Sequence, residues 1–149
     1  MNNNMIAENK IRVERVFDAP VKLLWQAWTE PALIKLWFGS DPNGTVEKVI
    51  MDVRIGGTYE ISFSNADLAQ HTCRGKFISV IENESLVYSW EWESEPGHVS
   101  ELKVSFYSME EKTMVILEHT NLNPNSLHAY AEGWNRAFTK IGKVLWQNK

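Results

Sequence analysis

Polar and apolar residues recur along this chain with two different periods. From Leu127 to Leu145 the apolar residues Leu127, Ala131, Trp134, Phe138, Ile141 and Leu145 follow at alternating intervals of four and three. That spacing lays one continuous stripe along a helix of about five turns. Asn125 and Ser126 precede it as N-cap candidates, and Lys140, Lys143 and Lys149 lie toward the end where the helix dipole favours cations. A helix with one apolar face requires an apolar surface to lie on. Gly133 and Gly142 interrupt it, each at roughly 1 kcal/mol relative to alanine, and Gly133 beside Trp134 predicts close approach by a neighbour.

Upstream the period is two, the signature of strands. Lys10 to Phe17 alternates, with Ile11, Val13 and Phe17 on one face and Arg12 and Glu14 on the other. Two short helical patterns follow. Val21, Leu24, Trp25 and Trp28 form the first, with Asp18 as cap and Pro20 in the first turn; Leu33, Leu36 and Trp37 form the second, with Thr29 as cap and Pro31 early. Further strands are predicted over Thr45–Val53, Tyr59–Phe63, His71–Ile81, Leu86–Trp92, Leu102–Phe106 and Met114–His119. Gly56-Gly57 marks a tight turn, which Arg54 helps to position. The order is β-α-α-β-β-β-β-β-β-α. Short links between the last six strands predict an antiparallel meander whose apolar face receives the long helix and whose outer face is polar.

Composition narrows the functional classes. A chain of 149 residues forms one domain, here residues 10–148 behind a disordered polar tail over 1–9, and buries about 68–70% of its unfolded surface. A net charge of −4 argues against nucleic acid and anionic membrane as partners. The tail lacks the charged start and apolar core of a signal peptide, and no apolar run is long enough to span a bilayer. A cytoplasmic location is the simplest expectation. The single cysteine, Cys73, excludes a disulfide framework and reads as a small buried hydrophobe. The four histidines at 71, 98, 119 and 128 lack metal-ligand spacing, and no cofactor or phosphate-binding motif is present.

Several blocks together resemble the family named after the activator of heat-shock-protein-90 ATPase, specifically its C-terminal domain, in the START-like (SRPBCC) superfamily. They are Arg15-Val-Phe-Asp-Ala-Pro20, Leu24-Trp25-Gln26-Ala27-Trp28-Thr29-Glu30-Pro31, Leu36-Trp37-Phe38, Asp52-Val-Arg-Ile-Gly-Gly-Thr-Tyr59, Leu86-Val-Tyr-Ser-Trp90, Leu117-Glu-His119 and Gly133-Trp134. The resemblance runs in order over about residues 10–147. It implies an α+β helix-grip fold: a seven-stranded antiparallel sheet around the C-terminal helix, with two short helices after strand one. It also implies a hydrophobic cavity of the kind that takes lipids, sterols or polyketides in related proteins. It implies no shared catalytic residues, and chaperone activity does not follow from it, because a separate N-terminal domain carries much of the stimulation in the eukaryotic activators.

Seven tryptophans suit either a large core or a large apolar pocket. The leading expectation is a binding protein for a small hydrophobic or aromatic molecule, lined by Trp37, Phe63, Phe77, Tyr88, Trp90, Phe106, Trp134 and Phe138. Two arrangements fit those aromatics, an open pocket and a filled core. A second expectation is a cyclase, dehydratase or hydrolase using the same pocket, with His119 or Tyr88 as acid or base; His119 is in phase with Val115 and Leu117 and so shares their face. A third is a chaperone-cofactor-like interaction domain, which needs an exposed apolar patch that the polar outer positions do not supply. An edge at strand one or two offers a second copy a pairing site for a homodimer.

Overall fold

A computed structural model of the chain describes residues 9–147. The tail expected over residues 1–9 therefore lies, apart from Asn9, outside the described residues, as does Lys149. Alternation and helical spacing produce β1 (Ile11–Phe17), α1 (Val21–Thr29), α2 (Pro31–Trp37), β2 (Thr45–Met51), β3 (Thr58–Ser64), β4 (Gln70–Ile81), β5 (Ser85–Trp92), β6 (Val99–Met109), β7 (Lys112–Thr120) and α3 (Leu127–Gln147), the last entered through a 3-10 turn at Pro124–Ser126. The strands form one sheet in the order β1-β7-β6-β5-β4-β3-β2, antiparallel throughout. β1 and β2 are its edges, and the two short helices lie in the excursion between them.

The core is the meeting of two periods. Every second residue of β7 (Thr113, Val115, Leu117, His119) is buried, and so are Leu86, Tyr88 and Trp90 of β5 and Leu102, Val104 and Phe106 of β6. Onto this face α3 lays Trp134, Phe138, Ile141 and Leu145, also buried. Each full burial of this kind contributes about 1.5–3 kcal/mol. Trp28 and Trp37 close one end, their rings 4.6 Å apart. The Trp37 indole is satisfied within the cluster, donating to Ala27 O at 2.8 Å. Thr113, polar on an apolar face, donates to Ala19 O at 2.8 Å and ties the corner after β1 to the sheet. Seven antiparallel strands gathered around one long helix, with two short helices after the first strand, constitute a helix-grip fold.

Local details differ from the sequence expectation. Asn123, and neither Asn125 nor Ser126, is the cap: its side chain accepts from Asn125 N at 3.0 Å, and the 3-10 turn it starts runs into α3. Pro20 and Glu30 occupy the cap positions of α1 and α2 without side-chain cap bonds. Asp18 is thus two residues too early, and the Thr29 hydroxyl turns back to Trp25 O at 2.8 Å. In α2 the buried residues are Ile34 and Trp37, whereas Leu36 is 56% exposed. Of the glycine pair only Gly56 has positive φ, +83°; Gly57 is there for its size, since a Cβ would lie 2.0 Å from Asp52 O. Arg54 pairs with Asp52 at 2.6 Å beside that turn. The outer face is also less polar than expected, with Ile50, Ile78 and Tyr107 at least half exposed. Among the described residues no helix is long and apolar enough to cross a membrane.

Candidate functional site

Small residues on α3 decide where space remains between helix and sheet. Ala129, Gly133 and Ala137 recur every four residues, so they share one strip beside the core stripe. That strip faces a recess of about 400 Å³. Its walls are Phe38 after α2, Phe63 on β3, His71 on β4, Trp90 and Trp92 on β5, and Tyr130 and Trp134 on α3. Ser40, Ser94, Glu95 and Ser126 also line it. Phe38 stacks on Trp90 with centroids 5.7 Å apart, and Trp134 meets Trp90 edge-on at 5.6 Å. The neighbour anticipated at Gly133 is Ser40, whose Cβ would lie 3.4 Å from an added Cβ.

The recess divides the eight expected pocket residues. Phe63, Trp90 and Trp134 line it. Trp37, Phe77 and Tyr88, with Trp90, instead surround an inner void of about 10 Å³, room for one water at most. Phe106 packs edge-on against Trp25 at 5.6 Å. Phe138 is fully buried between Phe17 and Trp28 and borders a separate surface groove between β1 and α3. That groove, about 470 Å³, carries Arg15, Asp18 and Lys143 among its walls. Phe38, His71, Trp92 and Tyr130 are the aromatic liners that sequence reasoning did not find. The signal available was the row Ala129, Gly133, Ala137, which leaves volume where larger side chains would fill it.

One wall is strapped in place. The loop after α2 turns at Gly39, whose φ is +93° and whose Cβ position lies 3.2 Å from the Phe63 ring, so only glycine fits. Lys140 of α3 reaches over to donate to Gly39 O at 2.9 Å and Asp41 O at 2.7 Å. It therefore serves the loop rather than the helix C-terminus. The Asp41 carboxylate accepts from Asn43 N and Ala66 N, both at 2.8 Å; these bonds hold its pKa below the usual carboxylate range. Lys140→Met should keep the stem's packing but release the loop, lowering stability by about 1–2 kcal/mol. Faster hydrogen exchange at the Ala66 amide is the check, and unchanged protection there would exclude the strap.

The two acid–base candidates sit outside the recess. His119 is fully buried, and both ring nitrogens are engaged. An indole N–H only donates, so Trp134 Nε1 gives its proton to His119 Nδ1 at 3.2 Å. The neutral ring then carries its own proton on Nε2 and donates to Ser100 Oγ at 2.8 Å; that hydroxyl donates to Trp90 O at 3.2 Å. Burial pushes the His119 pKa down to about 3. A neutral, doubly bonded imidazole joins α3 to β5, β6 and β7; it has no free nitrogen for proton transfer. Burial pushes the Tyr88 hydroxyl and the Cys73 thiol well up, so both stay protonated. Among the described residues no three His, Cys, Asp or Glu side chains converge as metal ligands.

The sequence and fold were compared with known proteins. A family model described as Activator of Hsp90 ATPase homolog 1-like protein matches residues 18–145. An uncharacterized protein of Schizosaccharomyces pombe is 30% identical over 91 residues, which is 60% of this chain and 23% of that protein. The chain thus spans about a quarter of that relative's length. Protein NE0264 from Nitrosomonas europaea superposes with a TM-score of 0.80 at 21% identity, covering 93% of this chain and 95% of the other. Protein CV1439 from Chromobacterium violaceum gives 0.81 at 18% identity, covering 91% and 96%. These two likenesses are of fold alone. CalU16 from Micromonospora echinospora gives 0.70 at 25% identity, covering 92% and 76%. With the family model spanning nearly all of the helix-grip domain, this chain belongs to the Activator of Hsp90 ATPase homolog 1-like protein family.

Proposed function

We propose that this protein binds a small, largely apolar aromatic molecule in the recess between α3 and the β3–β5 part of the sheet. The observation that carries the reading is the recess itself: about 400 Å³ walled by Phe38, Phe63, Trp90, Trp92 and Trp134. Small-molecule sites span about 300–1,000 Å³ and combine apolar walls with a few polar groups. The fold is also one that commonly holds hydrophobic ligands. Binding would draw on burial of ligand surface at about 25 cal/mol per Å², which needs no catalytic group.

Titration with a panel of neutral naphthyl and anthracenyl fluorophores, sterols and fatty acids tests this. At least one should bind saturably at a single site with energy transfer from the indoles. It should also raise stability by about 2.7 kcal/mol at a hundredfold excess over Kd. Trp134→Phe should weaken binding while leaving a cooperative melt, since most of the apolar volume is kept. A melt that no compound shifts would overturn the reading in favour of a domain that works through its surface.

A further inference from the structure

The polar groups at the aromatic end of the recess show which atom of a ligand they would meet. Tyr130 Oη accepts the Trp92 indole N–H at 2.6 Å. The Trp90 indole N–H is buried and has no hydrogen-bond partner among the described residues. With the Trp92 indole donating to its oxygen, the Tyr130 phenol's own proton is left for another acceptor, and it donates to no described residue. Burial raises the Tyr130 pKa, so the group remains a donor at neutral pH. The ring is held in place against His119, with centroids 4.9 Å apart.

Tyr130 O–H is thus a donor without a protein acceptor in the wall of one aromatic recess. A half-buried donor of this kind gains a hydrogen bond from a ligand acceptor that fills the recess. Charge sets the rest of the requirement. No lysine or arginine lines the recess; its titratable liners besides Tyr130 are Glu95 and His71, whose Nε2 accepts from Asn65 Nδ2 at 3.2 Å. The serines at 40, 94 and 126 add hydroxyls but no charge. A carboxylate would be taken from water with no lysine or arginine to meet it and with Glu95 nearby to repel it.

We infer that the recess selects a neutral aromatic ligand bearing a carbonyl-type acceptor, whose oxygen accepts a hydrogen bond from the Tyr130 hydroxyl, and that it rejects carboxylates. This rests on the proposed binding function. The acceptor is a ketone, aldehyde or quinone oxygen conjugated to the ring system, because the Tyr130 hydroxyl is held by Trp92 among the same indoles that would stack on that system.

Three probes of one shape separate the cases: naphthyl methyl ketone, isopropenylnaphthalene, in which a CH₂ replaces the oxygen, and naphthoate. In the native protein, naphthoate should bind about a hundredfold or more weaker than the ketone. Tyr130→Phe should weaken the ketone about tenfold and leave the isopropenyl compound within about twofold. The bound ketone's carbonyl stretch should move to lower frequency in the native protein and recover in Tyr130→Phe, a change that a packing role for the ring would not produce. Equal loss for ketone and isopropenyl compound in Tyr130→Phe, with the stretch unmoved, overturns this inference and leaves the binding function standing. Naphthoate binding as tightly as the ketone also overturns it. Failure of all three probes while another compound of the wider panel binds overturns this inference alone.

Discussion

Phe138→Ala should destabilise the protein by about 3–5 kcal/mol. The side chain is fully buried, lies 5.8 Å from the Phe17 ring and 6.2 Å from Trp28, and carries the Arg15 guanidinium over its ring at 5.8 Å. Neighbours on a sheet, a second helix and α3 itself cannot all collapse into the space left, so both transfer and cavity terms are incurred. Against a total of about 5–15 kcal/mol for a domain, that loss puts the variant near its unfolding midpoint at modest denaturant. Leu36→Ala is the control: the residue is more than half exposed, and its loss should stay within about 0.5 kcal/mol. Urea melts should show a lower midpoint with an unchanged slope for Phe138→Ala. A loss below about 1 kcal/mol would mean that α3 does not plug the sheet.

The second large effect is a pH dependence set by His119. Its folded pKa is about 3, against an ordinary 6.5, and burial is the cause. The sign follows from which state takes up the proton. Below about pH 6.5 the unfolded chain protonates this imidazole and the folded chain does not, so the unfolded state binds more protons and stability falls with falling pH. The contribution is complete above the ordinary pKa and is lost progressively toward the folded value. The slope approaches about 1.4 kcal/mol per pH unit for one proton. Between about pH 6 and pH 5 most carboxylates remain ionised, which isolates the histidine. His119→Gln keeps an acceptor for Trp134 and a donor for Ser100 but cannot ionise. It should lower absolute stability and flatten the pH slope by close to one proton's worth. Identical slopes in the two proteins would show that His119 is not held neutral.

Both effects belong to residues whose position was visible in the sequence while their environment was not. The interval of four and three placed Phe138 on the buried stripe, and the alternation Val115, Leu117, His119 placed the imidazole on the inner face. Neither pattern said that Trp134 would donate to Nδ1, or that Ser100, nineteen positions upstream, would take the other nitrogen. Those partners come from register: His119 lies opposite Leu102 on β6 and Ile11 on β1, and only that pairing brings Ser100 alongside.

The sequence by itself determined the elements, their order and the inner face of nearly every strand, because periods of two and of four-and-three are local and survive without knowledge of the partner. It also carried the family, through short blocks spread in order along the chain. Tertiary structure alone decided which inward aromatics border open space. Trp37, Phe77 and Tyr88 have the same inward phase as Phe63 and Trp90, yet they enclose only about 10 Å³ while Phe63 and Trp90 line the recess. The difference comes from what lies opposite each of them. Beside Phe77 and Tyr88 the short helices set Trp28, Ile34 and Trp37, and the interior is filled; where Ala129, Gly133 and Ala137 of α3 pass, it is not. Volume is a property of facing surfaces, and a periodic pattern describes one surface at a time.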